Sequence, residues 1–254
     1  VIATGETDDD AIVTAVAYGK QLGKTVIVVN DAPGFYTTRI LSAYMNEAGR
    51  LLDEGASIDA LDAALTAFGF PVGPITLLDE VGIDVGGKVG QVLHEAFGAR
   101  MAPSDSLRRV VASGRTGRKG RKGFYLYDAQ GKKGVVDPSV YEVLPGGVQR
   151  HEMPAHDMQM RCVLAMVNEA ALCYDERVLR STVDGDVGAV FGIGFPAFRG
   201  GPFRYVDAQG AARIVDDLEL LNERFPGRFV PAEALERNAR RQERFYPTRG
   251  DPFA

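Results

Sequence analysis

The chain is short of the residues that most often carry reactive chemistry, with two cysteines and three histidines among its 254 residues. Cys162 and Cys173 fall in one stretch of helical pattern without CxxC spacing, so they read as buried, inert thiols. Such sparse cysteine fits a reducing cytosol better than secretion, and a cytoplasmic location is expected. His94, His151 and His156 have no metal-ligand spacing with cysteine or acidic residues, which argues against a zinc site. Positive charge is not in excess either. With 29 Lys and Arg against 34 Asp and Glu, the formal charge is −5, and the overall balance gives no support for a nucleic-acid partner. No apolar run approaches the roughly 20 residues needed to cross a bilayer, so no transmembrane segment is expected. Val1 to Thr7 has neither a basic n-region nor an apolar h-region, so no signal peptide is visible; with no initiator methionine, sequence ahead of Val1 is expected.

What is present is ordinary globular composition, 45% hydrophobic and 25% charged. The length suits two compact domains of roughly 100–150 residues each. At the start, Thr7 offers an N-cap, Asp8 to Asp10 suit the positive end of a helix, and Ile12, Ala15, Val16 and Leu22 recur at helical spacing up to Gly23. Thr25-Val-Ile-Val-Val29 then reads as a strand buried on both faces of a parallel sheet. One strand makes no sheet, so residues 1–30 read as the end of a doubly wound, Rossmann-type domain.

Beyond Asp31-Ala-Pro-Gly34 the pattern is mainly α. Ile40, Leu41, Tyr44, Met45, Ala48, Leu51 and Leu52 form an apolar stripe, and Ser57 caps a helix carrying Ile58, Leu61, Leu65 and Phe68. Further helices are expected over 84–97 and 106–112. The first helical domain is placed at 31–127, a linker rich in Gly, Lys, Pro and Val at 128–154, and a second helical domain at 155–254. The two domains are related by a repeat. Asn46-Glu47-Ala48, Phe68-Gly-Phe-Pro71, Gly73-Pro74 and Asp79 recur in order as Asn168-Glu169-Ala170, Gly192-Ile-Gly-Phe-Pro196, Gly201-Pro202 and Asp207. Two such units are expected to pack face to face, as copies of one domain do in a homodimer.

Three glycine-rich stretches invite a phosphate-binding reading. Gly82-Ile-Asp-Val-Gly-Gly-Lys88-Val89 lacks the hydroxyl residue of a P-loop and follows no buried strand. Gly192-Ile-Gly-Phe-Pro-Ala197 satisfies G-x-G-x-x-A, but Pro196 stands where N–H groups should face a pyrophosphate, so tight helix packing explains it better. The third stretch gathers Arg108, Arg109, Arg115, Arg118, Lys119, Arg121 and Lys122 among Gly114, Gly117, Gly120 and Gly123. It suits the phosphates of a dinucleotide or of CoA, and equally a solvated basic loop. RNA fits less well, because Phe124, Tyr125 and Tyr127 alternate like a short strand. Glu47 and Glu169, at repeat-equivalent places, read as helix-packing acids in preference to catalytic ones.

Asn30-Asp-Ala-Pro-Gly-Phe-Tyr-Thr-Thr-Arg-Ile-Leu41, Phe68-Gly-Phe-Pro-Val-Gly-Pro74, Leu78-Asp-Glu-Val-Gly-Ile-Asp84 and Gly117-Arg-Lys-Gly-Arg-Lys-Gly-Phe-Tyr125 together resemble the 3-hydroxyacyl-CoA dehydrogenase family. The doubled unit, with Phe191-Gly-Ile-Gly-Phe-Pro196 and Gly200-Gly-Pro-Phe-Arg-Tyr-Val-Asp207, is similar to the α-subunit of multifunctional fatty-acid β-oxidation complexes of the trifunctional-protein type. The resemblance implies a βα remnant of a Rossmann domain followed by two homologous all-helical dehydrogenase C-terminal domains. It implies NAD-dependent oxidation of an (S)-3-hydroxyacyl-CoA, with a His taking the hydroxyl proton and a Glu supporting that His. The family places this Glu directly before the residues matching Val1-Ile2, and the His and the GxGxxG loop further upstream, so this polypeptide alone is expected to be inactive. It also implies a hydratase/Rossmann part as partner, and a thiolase β-subunit. The alternative is a non-catalytic module for dimerisation or thiolase docking. By the same resemblance Thr38 stands where the family motif Gly-Phe-x-x-Asn-Arg has its substrate-holding Asn, Lys119 matches a lysine that approaches NAD, and Phe191 matches an aromatic position near the acyl-CoA. Threonine keeps a hydrogen-bonding hydroxyl but lacks the reach and two-ended bonding of an amide.

Overall fold

The computed structural model describes residues 1–246, so residues 247–254 of the expected second helical domain lie outside the described residues. Serines start several helices, and of these Ser57 is the cap that the sequence pattern marks. The Ser57 hydroxyl accepts the Ala60 N–H at 3.2 Å to open α3 (Ile58–Phe68), and Ser104 and Ser181 do the same for α6 (Asp105–Ala112) and α8 (Thr182–Ile193). Each satisfies one of the N–H groups that a helix start leaves without a partner. The other helices are α1 (Asp9–Gln21), α2 (Thr37–Asp53), α4 (Pro74–Val81), α5 (Ile83–Phe97), α7 (Ala155–Asp175), α9 (Pro202–Gln209), α10 (Ala211–Arg224) and α11 (Glu233–Arg241). Among the described residues, sheets are confined to a parallel pair, β1 (Ile2–Ala3) with β2 (Val29–Asn30), and an antiparallel pair, β3 (Tyr125–Tyr127) with β4 (Lys133–Val136). The protein is mainly α, as its periodicity predicts.

The chain divides into two compact units, and the division cuts inside α2 and α7. One is Val1–Leu41 with Leu164–Ala254; the other is Ser42–Val163. We call them the split unit and the continuous unit. In the continuous unit Tyr44, Ala48, Leu51 and Leu52 of α2 are buried, as their stripe requires, together with Ile58, Leu61 and Leu65 of α3. Residues 128–154 do more there than connect. They supply β4 and the buried Val140 and Leu144, and the Arg150 guanidinium donates to the carbonyls of Leu52 and Pro145.

The start of the split unit departs from expectation in two details. Asp8, not Thr7, occupies the N-cap of α1, and it makes no side-chain cap bond. The Thr7 hydroxyl accepts from the Thr4 N–H instead. The strand expected over 25–29 is reduced to Val29–Asn30, and Thr25 is exposed. Its only strand partner among the described residues is β1, and covering comes from α8, where a Cβ on Gly188 would lie 2.7 Å from Ile27. A β-branched run becomes a long buried strand only between neighbouring strands.

Candidate functional site

The split unit holds Thr38 and Phe191. Thr38 lies in the first turn of α2, which is entered through Gly34 and Phe35, both in the left-handed region at φ 72° and 49°. Beside it, Tyr36 and Ile40 are buried, while Thr38 is half-buried, and no hydrogen bond among the described residues engages its hydroxyl. The end of α8 packs onto this turn, since a Cβ on Gly192 would lie 3.2 Å from Thr37 Cγ2. The preceding residue, Phe191, leaves 73% of its surface exposed. An exposed aromatic and a hydroxyl without a partner therefore belong to two chain segments that pack together. This supports tight helix packing as the role of Gly192, with Gly194 closing α8 in the left-handed region.

Arg39, next to Thr38, is fully buried. Its Nε donates to Glu169 at 2.5 Å, and Nη1 and Nη2 donate to the two carboxylate oxygens of Glu176 at 2.6 and 2.9 Å. Burial pulls the guanidinium pKa down, but the bonds to Glu176 and the charge of Glu169 outweigh it and hold Arg39 above its ordinary value. The continuous unit repeats the cluster at a constant spacing of 122 residues. Arg161 Nε donates to Glu47 at 2.7 Å, and its Nη1 and Nη2 donate to Glu54 at 2.6 and 2.7 Å. Glu47 and Glu169, read from the sequence as helix-packing acids, are thus partners of buried cations.

A second duplicated device is acidic. Asp62 accepts the N–H groups of Ile75 and Thr76 and the hydroxyl of Tyr125, while Asp186 accepts those of Phe203, Arg204 and Tyr246. Asp79 then receives the N–H groups of Phe124 and Tyr125, as Asp207 receives those of Phe245 and Tyr246. Burial pushes Asp186 up from 3.8 to about 6, against the lowering by the Tyr246 hydroxyl and the two N–H groups; Asp79 is also raised, by burial. Asp62, Asp186 and the two Phe-Tyr pairs were missed as repeat members in the sequence. Asp62 and Asp186 lie before the Gly-Pro turns and the Phe-Tyr pairs after them, at offsets of 124 and 121 residues, so an alignment of the two copies that allows short gaps would have found them.

Lys119 belongs to the continuous unit. It sits in a short 3-10 turn, Arg118–Gly120, introduced by Gly117 at φ 76°, and its ammonium bonds the Asp84 carboxylate at the start of α5 at 2.7 Å. That bond holds Asp84 below the usual carboxylate range. The seven cations of this region do different things. Arg115 is buried against Asp137 and Ser139, and Arg108 is paired with Asp105. Arg118, Lys119, Arg121 and Lys122 are exposed. Gly117 approaches the Asp79 backbone so closely that a Cβ there would lie 2.3 Å from the carbonyl oxygen. The P-loop-like stretch is helical: Gly86 packs on Leu78 and Gly87 on Val111.

Two open clefts of about 840 and 570 Å³ also lie in the continuous unit, and neither is lined by Lys119. Among the described residues no group of three His, Cys, Asp or Glu is placed to hold a metal, and no helix is long and apolar enough to cross a membrane. Cys162 and Cys173 are fully buried, and burial raises the Cys162 thiol pKa.

Residues 34–127 match the family described as 3-hydroxyacyl-CoA dehydrogenase, C-terminal domain, a span that contains Thr38 and Lys119 but not Phe191. Among solved structures, the chain is similar to 3-hydroxybutyryl-CoA dehydrogenase from Escherichia coli, with 22% identity and a TM-score of 0.78 over 94% of this chain and 66% of that one. At this identity the likeness is one of fold. It is also similar to the dehydrogenase part of multifunctional enzyme 1 from C. elegans, with 26% identity and a TM-score of 0.67 over 93% of this chain and 55% of that one. The chain therefore spans about two thirds of the length of the first structure and about half of the second.

Proposed function

We propose that the chain is the helical, substrate-covering part of an NAD-dependent (S)-3-hydroxyacyl-CoA dehydrogenase of fatty-acid β-oxidation, of the trifunctional-protein type. The observation that carries this is the family match over residues 34–127, which takes in two of the three expected site residues. The doubled helical pattern and the likeness to the dehydrogenase part of a multifunctional enzyme support the trifunctional type. A cytoplasmic location, an enoyl-CoA hydratase region in the same protein and a thiolase β-subunit as partner complete the reading.

In the proposed reaction the C3 hydride of the hydroxyacyl-CoA passes to NAD, and the hydroxyl proton passes to a His–Glu pair in the accompanying dinucleotide-binding region. Within this chain Thr38 offers its hydroxyl to the acyl-CoA, and Phe191 offers an apolar face to the same substrate. Lys119 suits a cofactor phosphate: it is an exposed ammonium on a turn shared with Arg118 and Arg121. It is paired with Asp84, and an ammonium with three N–H donors can meet a phosphate beside that carboxylate. The two paired strands, β1 and β2, are too few to form a dinucleotide-binding sheet, so turnover needs the companion region.

The test is NADH formation from (S)-3-hydroxybutyryl-CoA, by this chain alone and with the companion region restored. Silence alone and turnover when restored are expected. Silence in both forms, with thiolase binding retained, would favour a non-catalytic docking module.

A further inference from the structure

The Arg–Glu–Glu cluster occurs twice, but the residues leading into it differ. In the split unit they are Thr37-Thr38-Arg39; at the equivalent place in the continuous unit they are Gln159-Met160-Arg161. The position along the helix differs as well. α2 begins at Thr37, so Arg39 is in its first turn, whereas α7 begins at Ala155, so Arg161 is well inside it. A helix start has N–H groups without intrahelical partners and is the part most prone to open. The α2 start carries the further strain of Phe35, a bulky residue at φ 49°. Arg161 reinforces a helix that already holds itself, while Arg39 fastens a helix end.

We infer that Arg39, clamped by Glu169 and Glu176, is a positioning residue that fixes the orientation of the Thr38 hydroxyl. The clamp uses three directed bonds, one from Nε to Glu169 and a fork from the two terminal nitrogens to Glu176. Planar, bidentate pairing restricts the guanidinium in direction as well as distance. With Arg39 held at one side of Thr38 and Tyr36 buried on the other, the intervening turn has little freedom. It carries the Thr38 hydroxyl, which like that of Thr37 is half-buried and without a hydrogen bond among the described residues. The inference rests on the proposed substrate role of Thr38 and adds α7, distant in sequence, as the element that orders it.

The test is a double-mutant cycle with one control variant in the complete, turnover-competent protein, with kcat and KM for (S)-3-hydroxybutyryl-CoA and Tm as readouts. Glu169→Gln and its repeat-equivalent Glu47→Gln are the same chemical change in the same cluster. Both are expected to lower Tm, but only Glu169→Gln should lower kcat/KM, by about tenfold, with Glu47→Gln within about twofold. Thr38→Ala should also cost about tenfold, and combining it with Glu169→Gln should add little, giving far less than the roughly hundredfold loss expected of independent sites. Independent, multiplying losses, or equal kinetic effects of Glu169→Gln and Glu47→Gln, would overturn the inference. If Glu169→Gln does not fold, Glu176→Gln replaces it, since that carboxylate is 40% exposed and easier to substitute. Failure of the parent reading looks different: the unsubstituted protein turns nothing over, or Thr38→Ala has no effect by itself.

Discussion

The two units are built from the same repeat and differ in what has been added to it. Both have an arginine buried between two glutamates and an aspartate gathering the N–H groups at a Gly-Pro turn. In both, a second aspartate holds a Phe-Tyr pair. Only the split unit has threonines at the start of its long helix and a bare aromatic at the end of α8, where the continuous unit has Met160 and Thr66. Only the continuous unit has the basic glycine loop with Lys119 on Asp84. What was kept in both copies is what satisfies buried polar groups. What is found in one copy is where function is proposed. Buried charges explain the first half: removing one partner strands the other, so neither copy can lose its cluster cheaply.

The largest test of this comparison is removal of the duplicated arginines. Arg39→Ala leaves Glu169 buried and Arg161→Ala leaves Glu47 buried, at 3% and 1% exposure. Each should destabilise by about 3–5 kcal/mol in urea unfolding. A much smaller loss at one of them would show that the copies are not energetically equivalent. Next come the Gly-Pro turns. A Cβ at Gly73 would lie 2.4 Å from the Asp62 Cα, and one at Gly201 would lie 2.4 Å from the Asp186 carboxylate. Alanine at either should lose about 2 kcal/mol. Gly201→Ala should be the worse of the two, because its φ of 110° adds backbone strain.

The aspartates offer a pH comparison of about 2 kcal/mol. Asp186 rises from 3.8 to about 6 on folding, so its contribution is fully present below pH 4 and is lost as pH rises through 6. Stability measured from pH 4 to 7 should therefore carry a downward component, and Asp186→Asn should remove it. If that slope survives in Asp186→Asn, the assignment to this carboxyl fails. Smallest in stability is Lys119→Ala, an exposed site where Tm should not move measurably. Its proposed effect is on NAD affinity in the complete protein, about fivefold weaker. Unchanged affinity would place the basic loop with solvated surface.

Much of this was legible in the chain because its signals are local. Ser57 before Ile58-x-x-Leu61 starts a helix whatever it later packs against, and the Asn-Glu-Ala and Gly-Pro echoes reveal duplication without any coordinates. Thr25 to Val29 misled because a β-branched run states a propensity, while strand length depends on neighbours available for pairing. Arg115 could not be told from Arg118 by sequence, because both are cations next to glycine. Only the fold buries one against Asp137 and leaves the other in water.

Sequence by itself determined the helical class and the duplication, since periodicity, caps and motif order are properties of short stretches of chain; Thr38, Lys119 and Phe191 became candidates only through the family resemblance. Tertiary structure alone decided which glutamate meets which arginine. Arg39 and Glu169 stand 130 residues apart, and buried ion pairs depend on distance, direction and exclusion of water, none of which is carried by spacing along the chain.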